Sequence, residues 1–317
     1  MDGKWAPFWL AIFLVIGVPR FVFGIYTITQ NEETNPTEST VILDTGPIPI
    51  LTEDGLIEVD MEEYLVGVLL AELPGGFHIE AQKAQAVVAR TYALRTTQFK
   101  EKHEGSAICT SPACCQDYRD PDEYISAGGT EERIDIARNA VSDTSGLILT
   151  YDGLPIDATY FSCSGGQTED ALAVWGVDVP YLQSVDSPGE EDAPHFCDTV
   201  EFTPEGFQEA LGRTLVGAPQ QWFGQATYTR GGGVETMVIG GKLYEGTQLR
   251  KLLGLRSTAF SVSVSGSIIT ITTKGFGHRV GMSQYGAQAM AASGTLYSEI
   301  LNHYYPGTVI DKVDFIS

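Results

Sequence analysis

Positive charge is scarce in this chain: 19 Lys and Arg stand against 41 Asp and Glu, a formal net charge of −22 at pH 7. So acidic a protein lacks the basic footprint of direct nucleic-acid binding, and that class of partner is excluded. An anionic substrate must be met by a few placed cations, not by the overall field. Internal repeats are absent, which argues against repeat architectures. Beyond Tyr26 no apolar run is long enough to span a bilayer. Cysteine is sparse and odd in number (Cys109, Cys114, Cys115, Cys163, Cys197), and three of the five fall within seven residues. That clustering points away from a simple disulfide framework.

What is present begins with an apolar N-terminus. Trp5 to Val18 is uninterrupted, Pro19 and Arg20 break it, and Phe21 to Tyr26 resume it. Together the pieces suffice for one membrane helix of roughly 20 residues. A cleaved signal peptide is the competitor, but the Ala-x-Ala pattern is missing. Residues 1–26 are therefore read as a transmembrane anchor. The lysine before it and the acidic residues after it put the bulk of the chain outside the cytoplasm. Residues 27–55, polar, acidic and proline-containing, read as a linker. Residues 56–317 are read as the main domain, with a small inserted subdomain at about 188–274. Helices and strands mix without regular βα alternation, so the fold class is α+β.

The first helix is expected over "DMEEYLVGVLLAE", with Asp60 as N-cap, Glu63 as its capping-box partner, and Tyr64, Leu65, Val68, Leu69 and Leu70 inward. Pro74-Gly75-Gly76 ends it. "FHIEAQKAQAVVARTYALRTTQFKEKH" follows as a long helix with small residues (Ala81, Ala84, Val88, Thr91) along one face. Another helix is expected over "EERIDIARNAVSDT", a hairpin about Asp152-Gly153, a second about Ser265-Gly266, and a helix capped by Thr203 and Pro204.

Four constellations carry chemistry. Glu72 ends the first helix beside a core, where the macrodipole disfavours an anion. Lys83 and Arg90 lie two turns apart on the next helix and could face it if the turn folds one helix against the other. Such a setting tunes a general acid that later acts as base. The alternative is a glutamate paired with Arg90 or pointing to solvent. Second, His103, Cys109, Cys114 and Cys115 offer soft ligands suited to zinc, against a disulfide plus a surface histidine. Third, Ser162, Ser164, Gly165, Gly166, Gln167 and Thr168 form a polar turn suited to a polyhydroxylated ligand, with Tyr160, Trp175 and Tyr181 as flat apolar faces. On the residues alone a glycine turn with core aromatics fits better. Fourth, His278 precedes a helix N-terminus bearing Ser283 and Gln284, either a polar subsite or a tight loop around a satisfied histidine.

These segments together resemble the stage II sporulation protein D family, which includes amidase-enhancer proteins. The resemblance runs in order through "EEYLVGVLLAELPGGFHIEAQKAQAVVARTYAL", "YFSCSGGQTE", "VWG", "PYLQSVDSP", "GTQLRKLLGLRSTAF" and "GFGHRVGMSQYGAQAMA", from about Asp60 to Thr308. It implies a membrane-anchored lytic transglycosylase that cleaves peptidoglycan strands lacking stem peptides, acting in septal thinning and engulfment. Its catalytic acid/base would be Glu72. Lys83 and Arg90 would orient Glu72 or hold the lactyl carboxylate, and Tyr92 would join them at the substrate. Ser164, Gly165, Gly166, His278, Ser283 and Gln284 would make further substrate contacts. His103, Cys109 and Cys115 would hold a structural zinc, with Cys114 as a fourth ligand that adjacency to Cys115 strains. Implied partners are the glycan strand, a cell-wall amidase and a membrane protein of the engulfment machinery.

There are departures. Arg279 replaces a glycine, and Cys163 a Ser or Thr. Cys197 stands where a tryptophan is usual two residues after His195. Cys163 and Cys197 become candidates to pair. Two other readings remain: a non-catalytic glycan-binding amidase enhancer, and a zinc hydrolase using His103 and the cysteines.

Overall fold

The first helix forms where its caps and pattern require. In a computed structural model, which describes residues 41–43, 47–99, 103, 105–106 and 108–315, α1 spans Met61–Glu72. The Asp60 carboxylate accepts from the Glu62 and Glu63 amides at 2.9 and 3.3 Å. Glu63 itself lies toward Arg138, 3.9 Å away. Tyr64, Leu65, Val68, Leu69 and Leu70 are all buried, and so are Val66 and Gly67. A helix apolar on every side belongs inside the protein. At Gly67 the approach of Tyr118 and the Arg119 carbonyl leaves no room for a Cβ. Leu73 then leaves the helix in extended geometry, as the residue before a proline must.

Helix α2, Ile79–Phe99, buries its small-residue face, Ala81, Ala84 and Val88 among it. The helix Glu131–Asp143 packs on both α1 and α2. Its Arg133 ties them together, donating to Gln82 Oε1 (2.6 Å) and the Leu69 carbonyl (2.9 Å). Leu147–Tyr151 and Leu154–Pro155 form the first expected hairpin. Asp152 and Gly153 both have positive φ, 51° and 75°, which a type I′ turn requires. This hairpin belongs to a four-stranded sheet with Val309–Phe315 and Val41–Leu43.

Two expectations about the N-terminal part meet different fates. The anchor over 1–26 lies outside the described residues; among the described residues no helix is long and apolar enough to cross a membrane. The linker reading extends too far. Ile48–Thr52 pairs antiparallel with Gly55–Val59 and parallel with Ile108–Cys109. The reason is local alternation: Ile48 and Ile50 point into the core. Pro49 is tolerated because the third strand pairs only with Ile50 and Leu51.

A second hydrophobic core lies within residues 188–274, around Phe207, Trp222, Ile239 and Ile271. Two three-stranded antiparallel sheets and the helices Pro204–Leu211 and Gly246–Leu252 enclose it. Thr203 caps the first of these helices as expected. The whole is a mixed α/β structure with several antiparallel sheets.

Candidate active site

Glu72 sits in the wall of a cavity of about 660 Å³. Three donors reach its carboxylate. Oε1 accepts from the Asp117 amide at 2.9 Å and the Tyr160 hydroxyl at 3.0 Å; Oε2 accepts from Gln284 Nε2 at 3.1 Å. Burial raises its pKa above the ordinary glutamate value, while these three donors oppose the rise and the Asp117 charge adds to it. A carboxylate held so can hold a proton and release it.

Tyr92, Cys114, Cys115, Trp175 and His278 line the same cavity. His278 packs edge-on to Phe161 and beside Trp175. Its Nδ1 accepts from the Val280 amide at 3.2 Å. Burial first, and the Arg250 charge second, push it down to about 4, so it is neutral near pH 7. Trp175, 44% exposed, also lines a second cavity of about 460 Å³ that contains Glu169, Glu235 and Glu245.

The expected cations go elsewhere. Arg90 is fully buried and grips Glu62 with two bonds of 2.8 Å, adding the Leu147 and Val141 carbonyls. Glu62 lies at the opposite end of α1, roughly 15 Å of helix rise from Glu72. The helices run back along each other, so the middle of α2 meets the start of α1. Lys83 pairs with Glu80 and Asp143 at 3.2 and 3.0 Å. Neither orients Glu72.

The Ser-Gly-Gly turn is also occupied. The Ser164 amide and hydroxyl, the Gly165 amide and the Cys163 thiol all bind the Glu190 carboxylate, at 2.7 to 3.1 Å. The Gly166 amide donates to Ser164 Oγ at 2.9 Å. Cys163, Ser164 and Gly165 thus bind a buried acid of the protein itself. Ser283 is buried and caps the helix Gln284–Ala292, accepting from the Gly286 amide. Gln284, the first residue of that helix, turns its side chain to Glu72. Tyr181 is core, packed on Tyr151.

Arg279 explains its own departure from the glycine pattern. It adopts left-handed backbone, φ 67°, at a cost of about 1–3 kcal/mol. Its buried guanidinium donates to the carbonyls of Ser164, Gln167 and Gly231, each at 2.7 Å, and pairs with Glu169 Oε1 at 3.2 Å. Cys163 and Cys197 do not pair: both are free thiols, one buried at Glu190 and the other exposed.

His103, Cys109, Cys114 and Cys115 bring their donor atoms within 4.8 Å of one another, a set able to hold a metal ion. His103 Nε2 is 3.6 Å from Cys114 Sγ and 3.7 Å from Cys115 Sγ, and the two sulfurs are 3.8 Å apart. Both adjacent cysteines belong to the set. The Asp117 amide, a partner of Glu72, and Gln116, a partner of Tyr160, both escaped sequence reasoning. They follow directly on Cys115, and that adjacency was the available signal.

A profile described as stage II sporulation protein matches residues 53–151. The stage II sporulation protein D of Bacillus amyloliquefaciens is 39% identical over 91% of this chain and 85% of its own length. That of Bacillus subtilis is 40% identical over 84% of this chain and 79% of its own. The chain belongs to the stage II sporulation protein D family. An amidase enhancer of Bacillus subtilis is similar to it at 29% identity, over 78% of this chain and 40% of that protein. Family membership agrees with the ordered motifs in the sequence, the Glu72 element and the Lys83–Arg90 helix included.

Proposed function

We propose that this protein is a lytic transglycosylase acting on peptidoglycan strands whose stem peptides have been removed. The observation that carries the reading is Glu72, a single carboxylate with raised proton affinity, set in a cavity wall by three donors. Asp157 lines the same cavity but lies 3.4 Å from Arg95. Protonated Glu72 gives its proton to the glycosidic oxygen as the bond to the anomeric carbon breaks. Ionised Glu72 then takes the proton of the muramyl 6-hydroxyl, which attacks that carbon and closes a 1,6-anhydro ring. The proton returns to Glu72, and no water is consumed. One acid/base suffices, unlike the paired carboxylates of most glycosidases. Trp175 and neutral His278 offer the sugar an apolar face and a polar ring without adding charge.

His103, Cys109, Cys114 and Cys115 hold zinc in this reading. Zinc–ligand distances of about 2.0–2.3 Å give tetrahedral edges of about 3.3–3.8 Å, close to the separations of His103, Cys114 and Cys115. With four protein ligands the ion is structural and fixes the loop that delivers Gln116 and Asp117. A chelator then lowers the melting temperature, whereas a zinc hydrolase would lose activity with its fold intact. Residues 1–26 anchor the protein in the cell membrane with the catalytic domain outside the cytoplasm. There it acts on the septal wall during engulfment, together with a cell-wall amidase and a membrane partner.

Mass analysis of products from denuded glycan tests the reading: wild type releases 1,6-anhydro ends and Glu72→Gln does not. The likeness to an amidase enhancer favours a second reading, glycan binding that stimulates an amidase. It predicts partner stimulation with no product from wild type.

A further inference from the structure

The two oxygens of Glu72 are not equivalent. Oε1 receives the Asp117 amide and the Tyr160 hydroxyl; among the described residues Oε2 receives only Gln284 Nε2. Behind Tyr160 the bonds continue inward. Gln116 Nε2 donates to the Tyr160 oxygen at 3.2 Å, and Tyr64 donates to Gln116 Oε1 at 3.1 Å. Gln116 and Tyr64 are fully buried. We infer that Tyr160, backed by Gln116 and Tyr64, is a positioning residue that confines the working proton of Glu72 to Oε2. This goes beyond the proposed reaction and rests on it only for the kinetic arm of the test.

The argument is one of donors and acceptors. A backbone amide only donates, so a proton on Oε1 would oppose the Asp117 N–H. The Gln116 amide fills the accepting side of the Tyr160 oxygen, which leaves the phenol proton directed at Oε1. Burial holds both phenols well above their ordinary value, so they stay donors. Oε2 faces a side-chain amide that can present either end. Gln284 donates Nε2–H to the ionised acid and, turned over, accepts from the protonated one. Around Glu72, the Asp117 charge adds to its proton affinity, His278 is neutral near pH 7, and Asp157 lies beside Arg95. Tyr92, Cys114 and Cys115 line the cavity.

The experiment is a carbon-13 NMR titration of the full chain in detergent, with labelled glutamate carboxyls. Glu72 is assigned by the signal lost in Glu72→Gln. Tyr160→Phe deletes a donor that Oε1 accepts more strongly when Glu72 is ionised than when its proton sits on Oε2, so the Glu72 midpoint rises by about one unit, a tenfold change in its ionisation constant. Gln116→Met, which keeps both tyrosines, raises it by less. Gln284→Leu removes a partner of both forms and shifts it less than Tyr160→Phe does. A midpoint unmoved in Tyr160→Phe, or a larger shift in Gln284→Leu, overturns the assignment. If Tyr160→Phe does not fold, Gln116→Met decides, and no shift there overturns it equally. On denuded glycan, Tyr160→Phe lowers kcat about tenfold and leaves KM within about twofold. A raised KM with unchanged kcat would make Tyr160 a substrate contact instead. A wild type without 1,6-anhydro product but with these shifts in order removes the transglycosylase reading and leaves the positioning role.

Discussion

Glu72 and Glu190 are both carboxylates ringed by donors, and they differ in what lies on the open side. Glu190 is 1% exposed and receives two hydroxyls, two amides and a thiol, Ser187 included. Every oxygen is enclosed by protein donors. Glu72 has three donors and a cavity in front of it. A saturated, sealed acid organises a loop; an acid with one under-occupied oxygen and a cavity can exchange a proton. Both rings combine hydroxyl and amide donors, so the kind of donor does not separate the two roles. Access does.

That contrast can be broken by experiment. The largest expected effect is on chemistry. Glu72→Gln keeps the shape and loses product release by about 10³-fold or more, read by product mass on denuded glycan; residual activity within tenfold would end the distinction. Next, Glu190→Gln places amide hydrogens against its donors and lowers unfolding free energy by about 3 kcal/mol. Denaturant melts measure it. Arg279 braces the Glu190 ring through the Ser164 carbonyl. Arg279→Gly relieves left-handed strain but leaves Glu169 buried without its cation, and stability falls by about 1–2 kcal/mol.

The smallest effect has the opposite sign. The folded chain holds the Glu72 proton more tightly than the unfolded chain, because burial raises it. The stability this brings is full below the unfolded value, about 4.3, and is lost as pH rises through the folded value. At pH 7, then, Glu72→Gln melts slightly higher than wild type, and near pH 4 the difference disappears. A stabilised Glu72→Gln beside a destabilised Glu190→Gln would be the sharpest form of the comparison.

Much of the fold was legible because its signals are local. Asp60, Thr203 and the Asp152-Gly153 turn act within a few residues, and the apolar pattern of α1 needs no partner to be read. Glu72 was legible as an anion out of place at a helix end. What failed depends on how elements meet. Spacing put Lys83 and Arg90 on one face of α2 but could not say which end of α1 that face would find, and Arg90 found Glu62. Glu190 lay in "SPGEED", indistinguishable from a solvated acidic loop. The Ser164 turn therefore looked open to a ligand when it was filled from within. Tyr160 was legible as an aromatic and not as a hydroxyl.

The strand pairings near the start of the described chain have a mechanical side. A pull at residue 40 meets Val41–Leu43 first, hydrogen-bonded in parallel to the last strand, Val309–Phe315. Beyond it, Ile48–Thr52 is paired in parallel with Ile108–Cys109, whose Cys109 belongs to the thiol–imidazole set. Strands side by side and loaded along their length resist in shear, all their bonds at once instead of one after another. Tension from a tether would thus be taken up by the two strand pairs before it reached the helix that carries Glu72.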